Sequence, residues 1–159
     1  MTRTRRLVLA LVSLWLGTML FLSLAVAPAV FASVGRLDAG RIMALIFPWY
    51  YGASLVLPAA ALLVVLPESR RSRSAVATVT ALSFSLAAAF WSVFVIQPRI
   101  AKLRVAMDAP GGISDVAITS AFSRLHSQSI GVLLTLMGLA VVVIVIEVAA
   151  RPASRVASS

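Results

Sequence analysis

Between Leu7 and Val34 the chain carries not one charged side chain, and the same holds from Ile42 to Leu66 and from Ser74 to Ile96. A fourth run, from about Ser129 to Ala149, holds a single acid, Glu147, close to its end. A helix rises about 1.5 Å per residue, so about 20 apolar residues cross the roughly 30 Å of hydrocarbon in a bilayer. Each run meets that length. In hydrocarbon every backbone N–H and C=O must find its partner inside the protein, which a helix achieves within one segment. The pattern therefore predicts an all-α integral membrane protein, a single domain folded as an antiparallel four-helix bundle. Its spans are expected at about 7–34, 41–66, 74–104 and 115–149, with a disordered C-terminal tail over 151–159.

Composition agrees with lipid as the solvent. Of the 159 residues, 61% are hydrophobic and 12% charged, against about 45–50% and about 25% in soluble domains. The formal net charge is +9, which by itself would admit nucleic acid as a partner. The cations, however, form short clusters between the apolar runs, as in Arg3-Thr4-Arg5-Arg6 and Arg70-Arg71-Ser72-Arg73. That arrangement sets membrane topology and meets anionic headgroups, and no nucleic-acid partner is expected. The lack of cysteine removes disulfides, thiolate metal sites and Cys nucleophiles together.

The first run also has the basic start of a signal peptide, and Val30-Phe31-Ala32 resembles a cleavage site. A signal's apolar region covers only about 7–15 residues, and this run is far longer, so it is expected to stay as a membrane anchor. With four spans, both termini share a side with the loop between spans two and three. Eight of the 14 Lys and Arg fall there: Arg3, Arg5, Arg6, Arg70, Arg71, Arg73, Arg151 and Arg155. The positive-inside rule then places both termini in the cytoplasm of a bacterial inner or plasma membrane.

One sizeable polar stretch separates spans three and four, on the outer side. Ile100, Leu103 and Met107 follow a helical period, so span three is expected to continue outward, with Arg104 and Asp108 spaced to pair. The segment Asp108-Ala109-Pro110-Gly111-Gly112 must break the helix. Ser114 or Asp115 then suits the N-cap of span four. Small residues recur at close-approach spacing, such as Ser13 and Gly17 in span one and Gly131, Thr135 and Gly138 in span four. Pro48 and Pro58 are expected to kink span two. No internal repeat is evident.

Few residues offer chemistry. His126, the lone histidine, suits a haem or copper ligand, a proton acceptor, or a plain interfacial polar residue among Arg124, Ser127, Gln128 and Ser129. The cluster Phe47-Pro48-Trp49-Tyr50-Tyr51 reads as an interfacial aromatic belt, or as the wall of a pocket shared with His126. Glu147 lies one turn before Arg151 and is expected to snorkel and pair with it. No motif for nucleotide, zinc or a catalytic triad occurs, and no cofactor or metal is implied. Pumping coupled to ions needs titratable groups at mid-membrane, which the spans lack. The expected site is a polar pocket at the outer side, built from His126, Arg104, Tyr50 and Arg124, and open to a small hydrophobic ligand. A small membrane-bound haem or copper protein or oxidoreductase centred on His126 is the competing expectation.

Several short motifs occur in a recognisable order: Trp15-Leu16-Gly17, Ala27-Pro28 with Phe31, Ala39-Gly40, and Phe47-Pro48 with Tyr50. Pro98-Arg99-Ile100 with Leu103-Arg104 follows, then Phe122 and Arg124-Leu125-His126 with Ser129. From Leu11 to Val148 the chain resembles the bacterial domain of unknown function 4149, which is similar to the eukaryotic transmembrane protein 205. The resemblance implies a compact four-helix membrane protein with no established biochemical activity. It marks Gly17, Pro28, Gly40, Tyr50, Arg104 and His126 among its positions, and names no ligand. The expectation that results is a multi-pass protein that binds a small ligand or lipid, or assists a membrane complex.

Overall fold

The computed structural model describes residues 2–70, 72–109, 111 and 115–150, with the side chain of Arg36 excepted. The expectation of a disordered tail concerns residues 151–159, outside the described residues. Four helical rods make up the fold: Arg3–Ser33, Leu37–Arg70, Arg73–Asp108 and Val116–Ala149 are each long and apolar enough to cross a membrane. The first comprises α1 (Arg3–Phe21), a π-helical turn (Leu22–Val26) and α2 (Ala27–Ser33). The second is α3 (Arg36–Val65), closing in a 3₁₀ segment, Leu66–Arg70. The third repeats the design of the first, with α4 (Arg73–Trp91), a π turn (Ser92–Ile96) and α5 (Gln97–Asp108). The last is α6 (Val116–Ala149). No strand occurs among the described residues.

Proline explains the π turns. Pro28 and Pro98 have no N–H to give the carbonyl four residues back. Just ahead of each, the backbone widens by one residue. The Ala27 N–H reaches Leu22 O and the Gln97 N–H reaches Ser92 O, so the helix continues past the missing donor. Pro48 and Pro58, by contrast, both lie inside the single uninterrupted helix α3. Between spans three and four, α5 stops at Asp108 and Gly111 takes φ +79°, a conformation suited to glycine. Asp115 then caps α6, its carboxylate accepting from the Ala117 N–H at 2.8 Å and the Ile118 N–H at 3.3 Å.

Neighbouring spans pack in a closed ring: α1 on α3, α3 on α4, α4 on α6 and α6 on α1. The core contains Val8, Val12, Trp15 and Met19 of α1, Ala61 and Val65 of α3, Leu82 and Ala89 of α4, and Leu136, Ala140 and Val143 of α6. Trp15 is wholly buried. Around this core the outer faces stay apolar, with residues such as Leu24, Trp49, Leu63 and Leu134 exposed, as lipid-facing surfaces require.

The structure contains the internal repeat that the sequence hides. Arg3–Phe21 and Arg73–Trp91 have the same length of 19 residues, each followed by a five-residue π turn, at an offset of 70. Inward positions correspond one to one: Val8 with Thr78, Val12 with Leu82, Trp15 with Ser85, Met19 with Ala89 and Leu22 with Ser92. In α3 and α6, Ser54, Pro58, Ala61 and Val65 are spaced as are Leu136, Ala140, Val143 and Glu147. Two helical hairpins running in the same direction thus face each other about an approximate twofold along the bundle axis. Parallel repeats of this kind recur in membrane proteins.

The ring is tight only in the half nearer the termini. At the far end, α2 packs on α3 and α5 on α6, each within its own hairpin. In α6 every buried residue lies from Leu136 onward, and α2 buries none. The two hairpins therefore close on each other at one end and part at the other.

Candidate functional site

Where the hairpins part, a cleft opens between α3 and the third span, with a volume of about 510 Å³. This lies within the range of roughly 300–1,000 Å³ typical of small-molecule sites. One wall comes from α3, with Ala44, Phe47, Pro48, Tyr51, Gly52 and Leu55. Val93, Gln97, Pro98, Ile100, Ala101 and Arg104 form the other. Small residues face each other across it, and a Cβ added at Gly52 would meet nothing within 4 Å. The lining is mostly apolar, with three polar side chains.

Those three have different surroundings. Gln97 Nε2 donates to the Ser129 hydroxyl of α6 at 3.1 Å, tying the third span to the fourth at the depth of the cleft. The Tyr51 ring stacks on Phe47, with centroids 5.7 Å apart, and meets the edge of Tyr50 at 5.1 Å. Arg104 is half-buried, and no carboxylate pairs with it among the described residues. Its expected partner, Asp108, is engaged elsewhere: Arg41 of α3 reaches Asp108 across 3.5 Å and Asp38 across 3.3 Å. That correction has a geometric cause, since the end of α5 lies beside the start of α3. Arg41 and Asp108 bridge the rim of the cleft, one turn beyond Arg104.

Of the residues expected to share one site, Arg104 and His126 lie near enough for their charges to act on each other. Arg104 lines the cleft, and the tyrosine that joins it is Tyr51. Tyr50, one residue earlier and so rotated by about 100°, packs against the hydrophobic core. His126 is exposed on α6, its ring parallel to Phe122 with centroids 5.8 Å apart, and makes no hydrogen bond among the described residues. Arg124 is also exposed on α6. Tyr51 belongs to the aromatic cluster read from the sequence as a pocket wall, with Tyr50 chosen in its place; Gln97 escaped the sequence reading, although a lone amide ending an apolar run just before Pro98 was a usable signal. Among the described residues, no three His, Asp or Glu side chains gather to hold a metal ion.

A second polar constellation lies at the opposite end, inside the ring. Glu147, only 4% exposed, accepts from the Thr78 hydroxyl at 2.7 Å. Its other oxygen faces Arg5 Nε at 3.3 Å, and the Arg5 guanidinium also donates to the Glu147 carbonyl. Arg151, the partner expected from spacing, lies outside the described residues. Glu147 turns inward to Arg5 and Thr78 because position 147 belongs to the buried stripe of α6. At the equivalent corner of the other hairpin stand Val65, Ala75 and Val8, all apolar and buried.

Four packed apolar helices, an inward ion pair and a side cleft define a polytopic helical membrane protein whose interior is open at one end. The chain belongs to the family described as domain of unknown function (DUF4149), whose model matches residues 10–109. That match runs from within the first helical rod to the end of the third, takes in both cleft walls, and ends before Phe122, His126 and Ser129. No curated protein and no solved structure matches the chain.

Proposed function

We propose that this is a non-enzymatic multi-pass membrane protein that holds a small hydrophobic ligand or lipid in the cleft between the second and third spans. The observation that carries this reading is the cleft itself: about 510 Å³ of mostly apolar lining at the end where the hairpins part. Such a volume, with few and convergent polar groups, is the usual form of a ligand site. In the same reading the termini face the cytoplasm of a bacterial inner membrane and the cleft lies in the outer half. Eight of the 14 Lys and Arg, exposed Arg3, Arg6, Arg70 and Arg73 among them, fall at the termini end and six at the far end, which supports that orientation.

Native mass spectrometry of the protein released from mild detergent tests the proposal. The expected result is a retained small molecule or lipid on the wild type and its loss from Gly52→Leu, which fills the cleft. A wild type free of adducts, or a variant retaining the same adduct, overturns it. Circular dichroism and gel filtration of the variant establish that its fold is kept.

A further inference from the structure

Resting on the cleft as a ligand site, we infer that its ligand class is a single-chain amphiphile with an anionic head, a long-chain carboxylic acid, and that Arg104 is the group that selects the head. Arg104 lines the cleft half-buried, and no carboxylate compensates it among the described residues. A guanidinium partly withdrawn from water and without a counter-ion is a strong attractor for a carboxylate, which it meets through paired N–H donors. The nearest acid in sequence, Asp108, is held by Arg41 at 3.5 Å and does not fill that role.

The rest of the cleft fits the tail. From Ala44 to Leu55 the α3 wall runs twelve residues, or eleven helical steps, and from Val93 to Arg104 the facing wall does the same. At 1.5 Å per residue each wall is about 16 Å long. Arg104 stands near the rim, and the walls below it are mainly apolar, through Phe47, Ile100, Leu55 and Val93. Beyond Arg104 the Arg41–Asp108 pair crosses the rim, so the head is met by charge and the tail by hydrocarbon. A cleft of this length and about 510 Å³ suits one chain better than the two chains of a phospholipid.

Photo-crosslinking to the purified full-length protein in detergent provides the test. Three diazirine probes are compared: a long-chain fatty acid, the fatty alcohol of equal length, and a diacyl phosphatidic acid. The acid should label α3 and α5 peptides about tenfold more strongly than the alcohol, the factor of one charge-assisted hydrogen bond. Arg104→Gln should remove that preference and Arg104→Lys should keep much of it, with alcohol labelling unchanged in both. Equal labelling by acid and alcohol in the wild type overturns the anionic-head inference and leaves the cleft reading standing. Stronger labelling by the phosphatidic acid overturns the single-chain assignment. Labelling of the cleft by none of the probes overturns the inference, and the cleft reading falls separately if Gly52→Leu retains its adduct.

Discussion

Glu147, two residues before the end of α6, accepts a hydrogen bond from Thr78 at 2.7 Å and faces Arg5 Nε at 3.3 Å, so that three of the four spans meet on one carboxylate. The equivalent corner of the bundle is closed by Val65, Ala75 and Val8 without any polar atom from a side chain. The pseudo-symmetric halves thus solve the same packing problem once with charge and once with hydrocarbon.

Breaking the polar corner from one side should be costly. Glu147→Ala leaves Arg5 without a counter-ion, and removing one partner of a buried pair costs about 3–5 kcal/mol. Thr78→Val should cost less, about 1 kcal/mol, as for other hydrogen bonds between membrane helices. The triple variant Glu147→Val, Arg5→Ala and Thr78→Val copies the other corner and should return to near wild-type stability. Apparent Tm in detergent ranks the three, and a triple variant no better than Glu147→Ala would refute the equivalence of the two corners.

At the far rim the Arg41–Asp108 pair is exposed on both sides, 62% and 43%. Ion pairs so open to solvent contribute about 0–1 kcal/mol and weaken with salt. Asp108→Asn should therefore shift the apparent Tm slightly at low ionic strength and not measurably in molar salt. A large, salt-insensitive loss would show that the pair is shielded in the membrane-bound protein.

Asp115 should matter more than its exposure suggests. Its carboxylate holds the Ala117 and Ile118 N–H groups at the start of α6. Replacing such a cap with alanine costs about 0.5–2 kcal/mol. Asp115→Ala should lower the apparent Tm and speed amide exchange over the first turn of α6, while Asp115→Ser should recover most of the loss. Unchanged exchange in Asp115→Ala would show that the turn is held by other contacts.

The proposed orientation is checked with reporter fusions. A fluorescent protein joined after residue 159 should fluoresce, and alkaline phosphatase at the same point should stay inactive. The reverse pattern would put the cleft in the cytoplasmic half of the bilayer.

The four helical rods were legible in the sequence because length and freedom from charge are read without knowing any neighbour. The cap was legible to within one residue, Ser114 or Asp115, for the same reason, the partners of Asp115 being two and three residues away. Partners distant in sequence were not. Glu147 has Arg151 four residues on, whereas Arg5 comes beside it only when the ring closes. Asp108 has Arg104 four residues back, yet the fold sets Arg41, near the start of α3, beside it. Tyr50 and Tyr51 could not be told apart, because apolar residues surround span two and nothing fixed its rotation to better than one position. The repeat escaped notice because Trp15 and Ser85, or Val8 and Thr78, share a direction and not a chemistry.

The contact between Arg5 and Glu147 joins residues 142 apart in sequence, and that distance has a bearing on biogenesis. The N-terminus leaves the ribosome first, so Arg5 reaches the membrane boundary long before its counter-charge is synthesised. During that interval the first hairpin presents Val8, Val12, Trp15 and Met19 to lipid with no second hairpin to cover them. Only insertion of the last span supplies the carboxylate. A nascent chain interrupted ahead of Glu147 therefore keeps Arg5 without the counter-ion that the finished molecule supplies.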